Sequence, residues 1–217
     1  MIEQLIELEA ANRYQPWVDP GLDPEFVRMK DAVQEHTVLC IYRLYTAYQF
    51  LKHALRMVHG NVADIGVYKG GSVRLFGEMA TKAGRKTYGF DTFTGEPETA
   101  PWIDIHKEGD FSDVNFEDVQ KFVKNFDVEL FKGVFPETGD VIKDDRFCFV
   151  HIDVDLYLSC QDCLEFFCPR MSDGAIILLD DYGTKSCPGI KLATDEFVFD
   201  KDKSLIFLPT GQAVIIC

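Results

Sequence analysis

No run of this 217-residue sequence gathers the roughly 18 uncharged apolar residues that a membrane-spanning helix requires. Cations are also scarce: 22 lysines and arginines against 36 aspartates and glutamates leave a formal charge of −14. A surface of that sign repels nucleic-acid phosphates and anionic lipid, and no basic stripe interrupts it, so no nucleic acid and no membrane is expected as a partner. A disulfide framework is missing too. Seven cysteines, an odd number, are scattered from Cys40 to Cys217, mostly in apolar runs where cysteine packs as a small hydrophobe. Cys160-x-x-Cys163 has the form of a redox pair, but the run Cys163-Leu-Glu-Phe-Phe reads as one packed helix face. The opening MIEQLIELEA is acidic and amphipathic, unlike a secretory or mitochondrial presequence, and the expected location is cytoplasmic. There are no internal repeats and no low-complexity linkers. With 47% hydrophobic residues, the chain is expected to form one compact unit.

What is present is alternation. Asp23-Pro24-Glu25 has the form of a helix start, and Thr37 is placed to cap a second, strongly apolar helix that stops at Gly60. That second helix reads as hydrophobic all round, so it is expected to cover the active site or to build a homodimer interface. Residues 1–60 thus form an N-terminal helical cap, and residues 61–217 an α/β unit. Within it, β-like runs NVADIG, KTYGFD, VELFKG, FCFVHIDV and GAIILLDD alternate with helical ones beginning near Ser72, Phe116, Ser159 and Pro188. Such alternation predicts a mainly parallel sheet with helices on both faces. The end differs: SLIFLPTGQAVIIC holds two strands around Pro209-Thr-Gly-Gln with no helix between, which predicts a seven-stranded sheet closed by an antiparallel hairpin.

Ligands of doubly wound sheets bind at the carboxyl ends of the strands, and here every such end is polar. The first leads into Asp64-Ile-Gly66-Val-Tyr-Lys-Gly70-Gly-Ser72, a glycine turn that is neither GxGxxG nor a P-loop. The second ends at Asp91, 25 residues beyond Gly66, where a carboxylate can accept hydrogen bonds from ribose hydroxyls. Together they imply a nucleoside-bearing ligand without pyrophosphate. Asp153 and Asp155 close the fourth strand, and Asp180 and Asp181 the fifth. Neighbouring parallel strands would bring these four carboxylates to one rim, where they repel unless a cation compensates. All-oxygen ligands favour a hard ion such as Mg²⁺, with Ca²⁺ or Mn²⁺ as alternatives. Alternate residues of an extended strand share a face, so Asp153 and Asp155 are expected to reach the substrate together if the strand persists. His151 has the same parity but sits deeper, as a satisfied core histidine.

The segments IGVYKGGS, GFDTFTGEP, FKGVFPETG, FVHIDVDLYLSCQDCLEFFCPRMSDGAIILLDDYG and CPGIKLATDEF resemble the TylF or macrocin O-methyltransferase family over residues 61–199, in order. The resemblance implies a Rossmann-like class I methyltransferase fold and a metal-dependent enzyme that transfers a methyl group from S-adenosylmethionine to a sugar hydroxyl of a natural product. It further implies that Asp64, Gly66, Gly70 and Ser72 line the methionine portion and that Asp91 and Thr92 hold the ribose. Asp110, Phe111 and Ser112 would contact adenine, Asp153 would adjoin the cofactor, and Asp153, Asp180 and Asp181 would ligate Mg²⁺. Asp64 stands where the family more often has glutamate.

An aliphatic hydroxyl is a poor nucleophile near neutral pH, so the expected chemistry is deprotonation by Asp155 as general base, with His106 as a second base or substrate contact. Trp102, Asp104 and His106, in the loop of residues 93–112, together with Tyr14 and Trp17, are the side chains suited to a carbohydrate. The expected partner is a small-molecule glycoside or sugar bearing a vicinal diol. A catechol or other phenolic diol suits the same metal geometry. A noncatalytic or nicotinamide-binding module is disfavoured by the missing GxGxxG and has no need of four carboxylates.

Overall fold

The computed structural model describes residues 19–217. Tyr14, Trp17 and the amphipathic opening segment lie outside the described residues. Helix α1 (Pro24–Val33) starts as its sequence dictates: the Asp23 side chain accepts from the amides of Glu25 and Phe26, satisfying two of the free N–H groups of the first turn. Helix α2 (Ile41–Met57) departs from expectation. Thr37 does not cap it; its hydroxyl accepts from the Leu39 amide in a local turn, and Cys40 is the residue before the helix. Nor is α2 apolar all round. Leu44, Ala47, Tyr48, Leu51 and Ala54 form one buried stripe at helical spacing, while Gln49, Lys52, His53 and Arg56 face solvent.

Strands β1 (Asn61–Ile65), β2 (Thr87–Asp91), β3 (Val128–Lys132), β4 (Phe147–Ile152), β5 (Met171–Leu179), β6 (Leu205–Phe207) and β7 (Ala213–Ile216) form one sheet of order β3-β2-β1-β4-β5-β7-β6. The first five run parallel; β7 inserts antiparallel between β5 and β6, as the helix-free ending predicted. Helices α3 (Gly71–Lys82), α4 (Phe116–Val123), α5 (Tyr157–Phe167) and α6 (Pro188–Asp200) make the connections. The steps from β1 to β2 and from β4 to β5 go in opposite directions, so right-handed crossovers put α3 and α5 on opposite faces. A crevice opens where the direction reverses, between the carboxyl ends of β1 and β4.

The interior explains why β4 reads as a continuous apolar run: all six of its residues are buried. Phe147 meets Phe167 edge to face, and Phe135 stacks on Phe167 at 5.2 Å. Each such side chain contributes about 1.5–3 kcal/mol by burial. Phe26, Met29, Leu44 and Tyr48 from α1 and α2 share this core with the sheet. An ion pair between Arg28 on α1 and Glu78 on α3 adds a polar tie. No helix among the described residues is long and apolar enough to cross a membrane.

Candidate active site

The β1 turn forms one wall of the crevice. Gly66 has φ +89°, and a Cβ there would overlap the carbonyl oxygen of Asp153, so only glycine lets β1 and β4 approach this closely. The contact is fixed by the Asp153 amide donating to the Ile65 carbonyl at 2.9 Å. Among the described residues, four of the five non-glycine residues with positive φ, Tyr68, Phe93, Phe111 and Asp155, stand in the loops above this edge. Backbone strain of this kind is retained where the surroundings fix a functional geometry.

Asp91 is held as an acceptor. Its carboxylate takes the Tyr68 amide at 2.8 Å and the Phe93 amide at 2.6 Å. Burial raises its pKa, and these amides oppose the rise. It lines two hollows, which also share Gly66 and Gly95. One is lined by Gly66, Tyr68, Phe111, Asp153 and Asp155, the other by Thr92, Glu96, Gly133, Val134 and Phe135.

Several expected contacts fall elsewhere. Asp64 is fully buried, accepting from the Ser72 hydroxyl at 2.7 Å and meeting His151 Nδ1 at 2.7 Å. Gly70 packs against Val119 and Phe122 of α4. Asp64, Gly70 and Ser72 therefore brace the turn from beneath, and Gly66 is the member of the set that reaches the crevice. Asp110 is engaged in its own loop, accepting the Lys107 amide at 2.9 Å. Ser112 opens onto a separate hollow beside His36 and Lys69. Phe111 does line the crevice, and near Asp91 the wall also includes Gly133 to Phe135, after β3, beside Thr92, Gly95 and Glu96. Sequence reading missed that segment and Glu96, whose burial beside Asp155 and Asp91 lifts its pKa to about 8.

The acidic rim forms, though not by strand alternation. Strand β4 ends at Ile152, and Asp155 turns back with φ +58°, a left-handed conformation that aspartate tolerates. That turn brings single oxygens of Asp153, Asp155 and Asp181 within 4.8 Å of one another. Asp180 points inward. Its carboxylate is ion-paired with Arg43 of α2, accepts from Gln212 Nε2 at 2.6 Å and lies 3.4 Å from His151 Nε2. The expected metal set of Asp153, Asp180 and Asp181 is thus split: Asp155 stands with Asp153 and Asp181, while Asp153 and Asp180 also meet around His151.

Crowding sets the electrostatics. Burial, then repulsion from Asp180, Asp181 and Asp155, pushes Asp153 well above the usual carboxylate range. Burial and Asp181 push Asp155 up to about 7. Burial also opposes ionisation of Asp181, but Arg43 and hydrogen bonds from Asp153 and Asp155 outweigh it and lower its pKa. Burial works against the His151 imidazolium, yet Asp180 and Asp64 lift it to about 9. His151 is the satisfied core histidine expected, and it bridges the β1 and β5 strand ends.

His106 reaches this group: single ligand atoms of His106, Asp155 and Cys187 lie within 4.8 Å of one another, and the Cys187 thiol donates to Asp155 at 3.0 Å. Asp104 serves the fold, accepting the amides of Tyr157 and Ala100. Trp102 is 67% exposed, with its ring edge-on to Tyr157 at 5.1 Å.

The family model of macrocin-O-methyltransferase (TylF) matches residues 32–204. The chain belongs to the macrocin-O-methyltransferase family. As a member of it, this protein is an O-methyltransferase, and the resemblance carried by the sequence motifs is borne out. It is 26% identical over 189 residues to the 8-demethyl-8-(2,3-dimethoxy-alpha-L-rhamnosyl)-tetracenomycin-C 4'-O-methyltransferase of Streptomyces olivaceus, spanning 78% of this chain and 71% of that protein. It is 27% identical over 178 residues to the demethyldecarbamoylnovobiocin O-methyltransferase of Streptomyces niveus, spanning 75% and 67%. The solved structure of the O-methyltransferase NovP matches with a TM-score of 0.72 at 25% identity, covering 83% of this chain and 81% of that one. The fold of this TylF-family member is thus the mainly parallel class I methyltransferase sheet with its terminal antiparallel hairpin.

Proposed function

We propose that this TylF-family protein methylates a hydroxyl of a vicinal-diol sugar, carried by a glycosylated natural product or a glycan, using S-adenosylmethionine and a hard divalent ion such as Mg²⁺. The observation that carries the reading is the adjacency of Asp91, held by two backbone amides, to the Asp153–Asp155–Asp181 cluster across Gly66. The relatives' names support the acceptor class, since the Streptomyces olivaceus enzyme methylates a rhamnosyl-tetracenomycin.

The donor set fits a hard cation. Its atoms are carboxylate oxygens, and without an ion burial and mutual repulsion raise the pKa of both Asp153 and Asp155, so a dication would relieve that repulsion and replace bound protons. Asp153 and Asp181 would hold it, with Asp155 or Asp180 as a further ligand. When bound, the ion supplies positive charge for developing oxyanion character, and S-adenosylmethionine supplies the electrophilic methyl group. Asp91 would accept the ribose hydroxyls, with Thr92 beside it and the Gly133–Phe135 segment against adenine. Asp155, where Asp180 completes the metal set and leaves it free, would serve as general base beside the acceptor hydroxyl. The Cys187 thiol donates to its carboxylate, His106 stands within 4.8 Å of both, and Trp102 and Tyr157 offer aromatic surface to a sugar ring.

Calorimetric titration with S-adenosylhomocysteine, with Mg²⁺ and after chelation, followed by a screen of glycosides and catechols with labelled S-adenosylmethionine, tests this. Micromolar cofactor binding and ion-dependent labelling of a glycoside are expected. No binding in any condition removes the cofactor assignment. Rapid labelling of a simple catechol with no glycoside turned over moves the acceptor to phenolic diols.

A further inference from the structure

Arg43 stands in the first turn of α2, 138 positions from Asp181 in sequence, yet its guanidinium lies on the acidic rim. One of its nitrogens, Nη2, faces three oxygens of two consecutive residues: the Asp180 carbonyl at 2.5 Å, Asp181 Oδ1 at 2.6 Å, and the Asp180 carboxylate. The side chains of Arg43, Asp180 and Asp181 are 19%, 0% and 7% exposed, so these contacts are largely screened from water. Among the described residues its buried Nε has no hydrogen-bond partner, and the guanidinium contacts to the rim run through Nη2.

We propose that Arg43 is a resident counter-cation of this rim, which a divalent ion must displace from Asp180 and Asp181 in order to take the Asp153, Asp180 and Asp181 set. The inference rests on the metal-assisted reading above. With Arg43 in place, the oxygens that gather are those of Asp153, Asp155 and Asp181, a set that consumes the proposed base and shares Asp181 with Arg43. Departure of Arg43 releases the Asp180 carboxylate toward Asp153, which already lies beside it, and leaves Asp155 free to take a proton. Charge accounting favours the exchange: a buried pair of carboxylates stripped of its cation is costly unless another cation arrives at once. The same side chain therefore stabilises the metal-free rim and sets a threshold for metal loading.

The test is Mn²⁺ titration, followed by electron paramagnetic resonance of the free ion, on the wild type, Arg43→Gln, Arg43→Lys and the control Lys121→Gln. Arg43→Gln is expected to bind Mn²⁺ on the order of tenfold more tightly, about 1.4 kcal/mol. Arg43→Lys, which keeps the charge but loses the fork, falls between and serves if the glutamine variant does not fold. Lys121 is 73% exposed, and its removal is expected to change affinity by less than about twofold. In chelator the thermal midpoint of Arg43→Gln falls below that of the wild type, and Mn²⁺ restores it. Equal or weaker Mn²⁺ binding by a variant that still binds S-adenosylhomocysteine overturns the competition while leaving the metal site standing. Failure of every protein, wild type included, to bind Mn²⁺ overturns both.

Discussion

The two halves of the strand-end rim solve the same problem differently. At the β2 end, the single carboxylate of Asp91 accepts from the peptide N–H groups of Tyr68 and Phe93, and no other side chain among the described residues bonds to it. At the β4 and β5 ends, carboxylates face one another, and protons, His151 and Arg43 offset the charge. A carboxylate satisfied by backbone is an acceptor ready to recognise hydroxyls. A crowded set is a reservoir for protons or metal.

The strongest way to break this comparison is Asp181→Ala. It is expected to lower turnover by about a thousandfold or more and to abolish Mn²⁺ binding, with S-adenosylhomocysteine affinity within about threefold of wild type. Parallel loss of both would merge the two halves into one structural unit. Asp155→Asn keeps the shape and removes the base, so kcat is expected to fall by about 10²–10⁴-fold with little change in cofactor binding. A variant retaining full kcat would take the base assignment away. Asp91→Ala should do the reverse of Asp181→Ala, weakening S-adenosylhomocysteine by roughly 30–100-fold while leaving Mn²⁺ affinity unchanged.

The smallest expected effect is on stability. His151 titrates at about 9 in the folded protein, so the stability of its pairs with Asp64 and Asp180 is fully present below the usual histidine range and is lost as pH rises through about 9. Asp155, at about 7, and Glu96, at about 8, act in the same sense, because each binds its proton more tightly in the folded state. Calorimetric scans in chelator should therefore show the midpoint falling between about pH 6 and pH 9, with a loss on the order of 1–3 kcal/mol. Mg²⁺ should flatten the slope. A midpoint that rises over this window would show that these groups are not protonated together in the fold.

Much of this was legible in the sequence. The Asp23 cap, the alternating elements and the helix-free final hairpin follow from short-range rules, because a cap or a turn is satisfied within a few residues. The legible part of the site was its inventory: Asp91, Asp153, Asp155 and Asp181 do gather at the carboxyl edge. The parity argument for Asp155 failed because β4 stops at Ile152, and a left-handed turn, which periodicity does not encode, delivers the side chain. Gly70 and Ser72 look from sequence like ligand contacts, yet one packs on α4 and the other bonds to buried Asp64. The same glycine-rich string serves packing and binding alike, and only the neighbours distinguish them.

By itself the sequence determined the class of sheet, the acidic character of its rim and the family, since these depend on residue type and order along short stretches. Only the tertiary structure decided which carboxylates carry protons, which one turns inward and which cation meets them. Burial and Coulomb interactions depend on distance in space, and it is the docking of α2 on the sheet that brings Arg43 to Asp180 and Asp181.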